Sequence, residues 1–319
     1  MKKNLKTHLI WLAIIAVVYA ILSALIVAGI INAFVAQIIT QIGINLIVAV
    51  GLNLVIGFTG QFSFGSAGFM AIGAYTSAIV TARMAPTWGT IFLSMLIGAI
   101  IAGIVAVIVG YPTLRLKGDY LAIATLGVSE IIRILIMNGG DLTNGAAGLS
   151  GIILFTDWGM TFIFAVVIII LILNFINSPS GRATLSVRED EIASESMGVN
   201  VTRVKVIAFT LGAMVTAIAG SLYAGFIGTV TPKDFTWMKS VDALIIVVLG
   251  GLGSITGTVI AAIILGLLNM FLQDFGAIRM IIYSLVLILV MIFRPGGLLG
   301  TWEFKISRFF NKKENKEAK

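Results

Sequence analysis

ILSALIVAGIINAFVAQIITQIGINLIVAVGLNLVIGFTGQFSFGSAGFMAIGAYTSAIVTA, residues 21–82, decides the fold of this chain. From Thr7 to Ala82 there is no Asp, Glu, Lys or Arg, a length of uncharged sequence that no soluble domain of 319 residues tolerates. Soluble chains carry about 25% charged and about 45–50% apolar residues. Here the values are 11% and 59%, with a mean hydropathy of +1.10. Such a chain is a polytopic membrane protein in a lipid bilayer. With no Cys and a single His, His8, neither a disulfide scaffold nor the usual zinc and iron–sulfur ligand sets can be built, so no metal or cofactor is expected. The net charge of +7 reports topology rather than nucleic-acid binding.

Working outward, apolar segments fall at 9–31, 36–58, 64–82, 90–110, 120–137, 159–177, 206–228, 241–271 and 278–293. Most approach the roughly 20 residues a helix needs to cross about 30 Å of hydrocarbon, and none shows the alternation over about 10 residues of a barrel strand. The expected fold is all-α, one transmembrane helix bundle spanning 1–319. Sixteen of the twenty-one Lys and Arg fall at the N-terminus, at Arg115–Lys117, in the loop 178–205, and from Arg294 onward. The positive-inside rule makes those four cytoplasmic, leaving 138–158 and 229–240 outside and 301–319 as a basic cytoplasmic tail. Trp88, Trp158 and Trp237 lie near predicted span ends, where an interfacial belt explains them. Both termini inside require an even number of crossings, so one of the nine segments must turn back or be split. The candidate is 241–271, broken at Gly250-Gly251-Leu252-Gly253-Ser254. A matching break stands at Gly57-Phe58-Thr59-Gly60-Gln61-Phe62-Ser63-Phe64-Gly65. Broken or re-entrant helices in corresponding halves point to an internal repeat with a pathway at its interface, lined by Gln61, Ser63, Phe64, Gly65, Gly250, Gly251, Gly253 and Ser254. The competing reading is that the glycines let helices approach closely.

The one long hydrophilic interior stretch is 178–205. Pro179 and Gly181 read as the end of the preceding helix. Asp190 is placed to cap a short helix from Glu191 to Met197, stopped by Gly198. Ile192 and Met197 give it an apolar edge, and Glu191 and Glu195, four apart, an acidic one. A helix capped at both ends reads as a docking surface, against the alternative of a solvated connector.

Gly181-Arg182-Ala183, Arg188-Glu189-Asp190-Glu191-Ile192-Ala193 and Met197-Gly198-Val199-Asn200-Val201-Thr202-Arg203-Val204-Lys205 resemble the coupling loop of LivM-type permeases. These are the membrane subunits of branched-chain amino acid ABC importers. Gly51-Leu52-Asn53-Leu54 with Gly60–Gly65, Leu116–Gly127 followed by Glu130-Ile131-Ile132-Arg133, Leu142-Thr143-Asn144-Gly145, Gly250–Ser254 and Arg294-Pro295-Gly296-Gly297-Leu298 follow in the family's order, over about residues 40–300. The resemblance implies several things beyond what composition shows. Arg182, Arg188, Glu189, Asp190, Glu191, Ile192, Glu195, Met197 and Gly198 would meet the ATPases. The partners would be two cytoplasmic ATP-binding subunits, a second permease forming a LivH-type heterodimer, and an extracytoplasmic substrate-binding protein. The location would be a bacterial inner membrane. The substrates would be leucine, isoleucine and valine, or the other amino acids, amides or urea that the family carries. Ser66 stands where the family often has His, and Gly145-Ala146-Ala147-Gly148 where it commonly has Gly-Pro-Asn-Gly.

Glu130 and Arg133, three apart and hence on one helical face, are the only charges in the apolar span 120–137. They either line the path or neutralise one another as an intramembrane ion pair. No catalytic set exists, because the lone His is at residue 8, and no Gly-x-x-x-x-Gly-Lys-Ser/Thr loop is present to cradle ATP. ATP hydrolysis would reside in another chain. An ion-coupled transporter remains the alternative, although such coupling usually needs buried carboxylates.

Overall fold

The structure is a computed structural model describing residues 2–84, 87–116 and 118–272, scattered residues between 275 and 303, and side chains from residue 13 onward. The expected span at 278–293 lies largely outside the described residues, as do Lys117, Arg294, Pro295 and the tail beyond Glu303. In chain order the helices are α1 (Lys2–Val27), α2 (Ala33–Thr59), α3 (Ser66–Arg83), α4 (Trp88–Thr113), α5 (Asp119–Met137), α6 (Trp158–Asn177), α7 (Pro179–Glu189), α8 (Glu191–Ser196), α9 (Val201–Ile227), α10 (Trp237–Gly250) and α11 (Ile255–Phe271). Two-residue strands β1 (Leu149–Ser150) and β2 (Thr229–Val230) pair antiparallel, Leu149 opposite Val230. The bundle is all-α, and polar caps mark where each apolar run becomes helix. Asp157 accepts the Met160 amide at 2.8 Å ahead of α6, and Asn200 that of Arg203 at 2.9 Å ahead of α9. Both satisfy amides that the first turn leaves without an intrahelical partner.

Among the described residues α2, α4, α5, α6 and α9 are long and apolar enough to cross a bilayer, and α10 and α11 form a pair bent by 119° at a short break. The chain is a multi-pass membrane protein. Its central helix is α9, against which α2, α3 and α4 pack. The α3–α9 seam is backbone against backbone: a Cβ on Gly73 would lie 1.8 Å from the Ala217 carbonyl oxygen, and one on Gly220 would lie 1.9 Å from that of Met70. Hydrocarbon offers no hydrophobic drive for helix association, so close van der Waals approach through small residues supplies it.

One expectation is extended and one corrected. The preceding helix does end at Asn177, but the chain goes straight on as helix: Pro179 is the first residue of α7, an 11-residue helix that Ser178 caps by accepting the Gly181 amide at 3.2 Å. Proline suits this position because its fixed φ is helical and its missing N–H would be unpaired there anyway. The 229–240 segment does not stay at the outer surface. Its 3₁₀ turn, Pro232–Phe235, buries Phe235 completely between the rings of Tyr75 and Tyr223, at 6.2 and 5.9 Å. Ser240 then accepts the Ala67 amide at 2.9 Å and donates to the Phe64 carbonyl at 2.8 Å. From Ala67 the helix α3 runs on to Arg83, about 24 Å along its axis. The start of α10 therefore lies level with the first turn of α3, with Trp237 and Met238 exposed on its outer face.

Candidate functional site

The two glycine-rich breaks, some 200 residues apart in sequence, meet in space. α2 ends with Gly60 at φ +71, whose amide bonds back to Ile56 while that of Gln61 reaches Val55 at 3.2 Å. This is a helix stop that a left-handed residue permits. The chain then runs outside helix and strand through Gln61–Gly65, held between α5 and α10: Phe64 donates its amide to Thr125 Oγ1 at 3.0 Å and its carbonyl accepts from Ser240. Ser63 Oγ accepts the Gly65 amide at 3.3 Å. Gln61 is 2% exposed, yet neither amide atom has a partner among the described residues. Leaving such a group unpaired costs about 1–3 kcal/mol. Ser66 Oγ is likewise buried and unpartnered. It lines, with Ser63, Phe69 and Thr216, a cavity of about 10 Å³, the size of one water.

Asn53 locks the second break onto the first. This fully buried side chain on α2 accepts the Gly253 amide at 2.9 Å and donates to the Ser254 carbonyl at 3.0 Å and Thr258 Oγ1 at 2.7 Å. A Cβ on Gly57 would fall 2.3 Å from the Gly253 nitrogen, so only glycine permits the contact. Ser254 is fully buried; its hydroxyl donates to the Trp302 carbonyl and accepts the Gly257 amide to cap α11. Gly251 abuts Gly300. Arg188 closes the junction from α7. Its Nη1 donates to the Gly57 carbonyl at 2.8 Å and lies 2.6 Å from where a Gly253 Cβ would stand. The guanidinium thus meets the C-terminal end of α2, where unpaired carbonyls carry partial negative charge, and stands beside Gly253 in the second break.

Beside Arg188 the chain turns a corner on one residue. Asp190 is both the C-cap of α7 and the N-cap of α8, accepting the Ile192 and Ala193 amides at 2.9 and 3.0 Å. Beyond it Ile192 and Met197 are 75% and 85% exposed, large apolar groups left open among the described residues. The expected acidic edge is incomplete. Glu191 is paired with Lys205, a lysine only 6% exposed on α9, which leaves Glu195 and Glu189 facing outward. Arg182 is exposed and donates to the Asn177 carbonyl at 3.0 Å. Gly198 has φ +84 and open space around the missing Cβ. Gly198→Val is therefore expected to act through backbone strain alone, costing about 1–2 kcal/mol locally, and to re-aim α8 without a clash. Normal membrane insertion with altered protease cleavage around 190–198 is the expected outcome; a wild-type cleavage pattern would return Gly198 to a passive stop.

Glu130 and Arg133 pair with each other at 2.8 Å, both partly buried on α5. Asn53, Thr125 and Ser240 escaped the sequence reading as site residues. The available signal was polarity: each interrupts an apolar helix.

Residues 34–294, nearly the whole described bundle, match the family described as "Branched-chain amino acid transport system / permease component". The chain belongs to this family. LivM of Salmonella typhimurium, named a high-affinity branched-chain amino acid transport system permease protein, is 36% identical over 278 residues, covering 76% of this chain and 64% of that one. LivM of Escherichia coli is 37% identical with the same coverage. LivH of Salmonella typhimurium is 29% identical over 276 residues, covering 76% and 87%. This permease thus matches just under two-thirds of the LivM relatives' length. No solved structure matches it. Its relatives are named as transport system permease proteins.

Proposed function

We propose that this chain is the membrane permease subunit of an ABC importer carrying leucine, isoleucine and valine across a bacterial plasma membrane. The observation that carries the reading is the α7–α8 corner. It offers Ile192 and Met197 to a partner while Arg188, two residues before the corner, holds the first break at Gly57 and stands beside Gly253 of the second. Interface energy concentrates in a few such apolar anchors, and Glu189 and Glu195 suit a basic rim. ATP is hydrolysed in two separate cytoplasmic subunits; a second, LivH-type permease completes the pathway, and an extracytoplasmic binding protein delivers substrate to 138–158. Residues 1–319 act as one permease domain, with both termini and 178–205 cytoplasmic and the tail 301–319 on the inner lipid surface. Gln61–Gly65 and Gly250–Ser254 form the part of the pathway that opens and closes.

Reconstitution tests this directly. The complex in proteoliposomes should take up leucine only with ATP and binding protein present, whereas gradient-driven uptake by the purified chain alone would replace the reading with an ion-coupled carrier. Topology has its own test, since the chain lacks cysteine. Met197→Cys should react with an impermeant maleimide only from the inside and Ser150→Cys only from the outside. Both positions are exposed, and the reverse pattern would invert the orientation.

A further inference from the structure

A second opposite-charge pair lies in the membrane, on α10. Lys239 and Asp242 are the only charges in Trp237–Gly250 and are three residues apart, as are Glu130 and Arg133 on α5. The two pairs behave differently. Glu130 and Arg133 close on each other at 2.8 Å. Lys239 and Asp242 form no ion pair among the described residues: the ammonium lies over the Tyr223 ring, 5.4 Å from its centroid, and the Asp242 carboxylate is exposed on the bundle surface. Their depth follows from hydrogen bonds already described. Ser240, between them in sequence, is bonded to Phe64 and Ala67 at the inner end of α3, about 24 Å of helix below Arg83. On α5, Ser129 stands against Gly68 of the same α3 turn, so Glu130 and Arg133 share this level. An ionised carboxylate at such depth does not face lipid; it faces a water-filled path or a partner charge.

We propose that Asp242 and Lys239 grasp the zwitterionic end of an α-amino acid on its way through the membrane, Asp242 taking the ammonium group and Lys239 the carboxylate. One helical turn sets the two side chains about 5–6 Å apart, a spacing that lets two open charges hold the two ends of one small headgroup. Met238, four residues before Asp242 and so on its face, is 51% exposed and offers an adaptable apolar surface for an aliphatic side chain. The Glu130–Arg133 pair is closed on itself, and Asp234, the other carboxylate near Lys239, is held by the Thr231 amide and hydroxyl at 2.7 and 3.0 Å. The inference rests on the amino-acid importer reading and names where that substrate is held.

The test uses the assembled complex in proteoliposomes, with reactive cysteines removed from the other subunits. Asp242→Asn should lower ATP-driven leucine uptake about tenfold to a hundredfold, the loss of one charge-assisted contact, while co-purification with the second permease and the ATPases is retained. Lys239→Gln should do the same. Ile245→Cys, one turn further along the face of Asp242, should react with an aqueous maleimide, more slowly in millimolar leucine. That protection should vanish when Asp242→Asn is added. Uptake by Asp242→Asn within twofold of wild type, or labelling of the Ile245→Cys complex that is indifferent to leucine, overturns the proposal. Loss of the second permease from the Asp242→Asn complex also overturns it, assigning the carboxylate to a subunit contact. If the unaltered complex moves no amino acid at all, the importer reading itself fails first.

Discussion

Arg188→Ala is expected to give a permease that inserts and assembles but transports at least tenfold more slowly. The side chain supplies a charged donor to the Gly57 carbonyl, one of the last four of α2 and so without an intrahelical partner. A charge-assisted hydrogen bond of this kind is worth about 1.5–3 kcal/mol, and a cation at a partly buried helix C-terminus adds up to about 2 kcal/mol. Its removal does not unfold the bundle, because Asn53 still ties Gly253, Ser254 and Thr258 to α2. What it removes is the side-chain link from α7 to the junction of the breaks. On the proposed importer reading, the expected signature is therefore basal ATPase activity of the complex preserved and its stimulation by substrate-loaded binding protein lost. Arg188→Lys, which keeps the charge at the end of α2 but not the planar fork, should recover part of the stimulation. Loss of ATPase co-purification in Arg188→Ala would instead make Arg188 an outward contact.

Gly220→Leu is expected to do the opposite, abolishing the folded protein before transport can be asked about. Its Cβ would stand 1.9 Å from the Met70 carbonyl oxygen and 2.8 Å from the attached carbon, backbone atoms that no rotamer change can move. Separating α9 from α3 would also break the Ser221 hydroxyl's bond to the Gly73 carbonyl at 3.0 Å. A cost above about 4 kcal/mol is expected, seen as loss of the monodisperse peak in detergent and of thermal protection by lipid. Gly127→Leu is the control. Nothing lies within 4 Å of a Cβ there, so it should purify as the wild type does. Equal behaviour of the two variants would show that the seam tolerates separation.

The positions of the helices were legible because the spans announce themselves by apolar length, and α8 because Asp190 and Gly198 are cap residues at the right spacing. The helix α7 was not, since its mean apolarity is low and Ser178-Pro179 was read only as a stop where it is also a start. The breaks were visible as glycine clusters. That they touch was not visible, because the contact depends on three partners for Asn53 drawn from the far end of the chain. Glu191 shows the same limit: its spacing to Glu195 suggested one acidic edge, and a buried Lys205 on another helix claims it. Spacing reports which residues share a face, not what the rest of the fold brings to that face. The pair on α10 was hidden for a related reason. Outer-loop placement was inferred for 229–240, and the descent of Phe235 between two tyrosines carries Lys239 and Asp242 far below it.

The single-residue corner at Asp190 has a mechanical consequence. α8 is a bar fastened to two bodies: its first turn is held through Asp190 to α7 and Arg188 and through the Glu191–Lys205 pair to α9, and its far end runs through Gly198 into α9. On the proposed reading, one push on Met197 loads two bodies at once: the rigid block of α9 with α3 and α4, and the Asn53-bound junction of the breaks. Because the two are strained in parallel, the stroke acts as a wedge, and what moves is the difference between their compliances. Softening either attachment diverts travel to the other, so a weakened Lys205 anchor and a weakened Arg188 anchor should shift the resting balance between open and closed breaks in opposite directions.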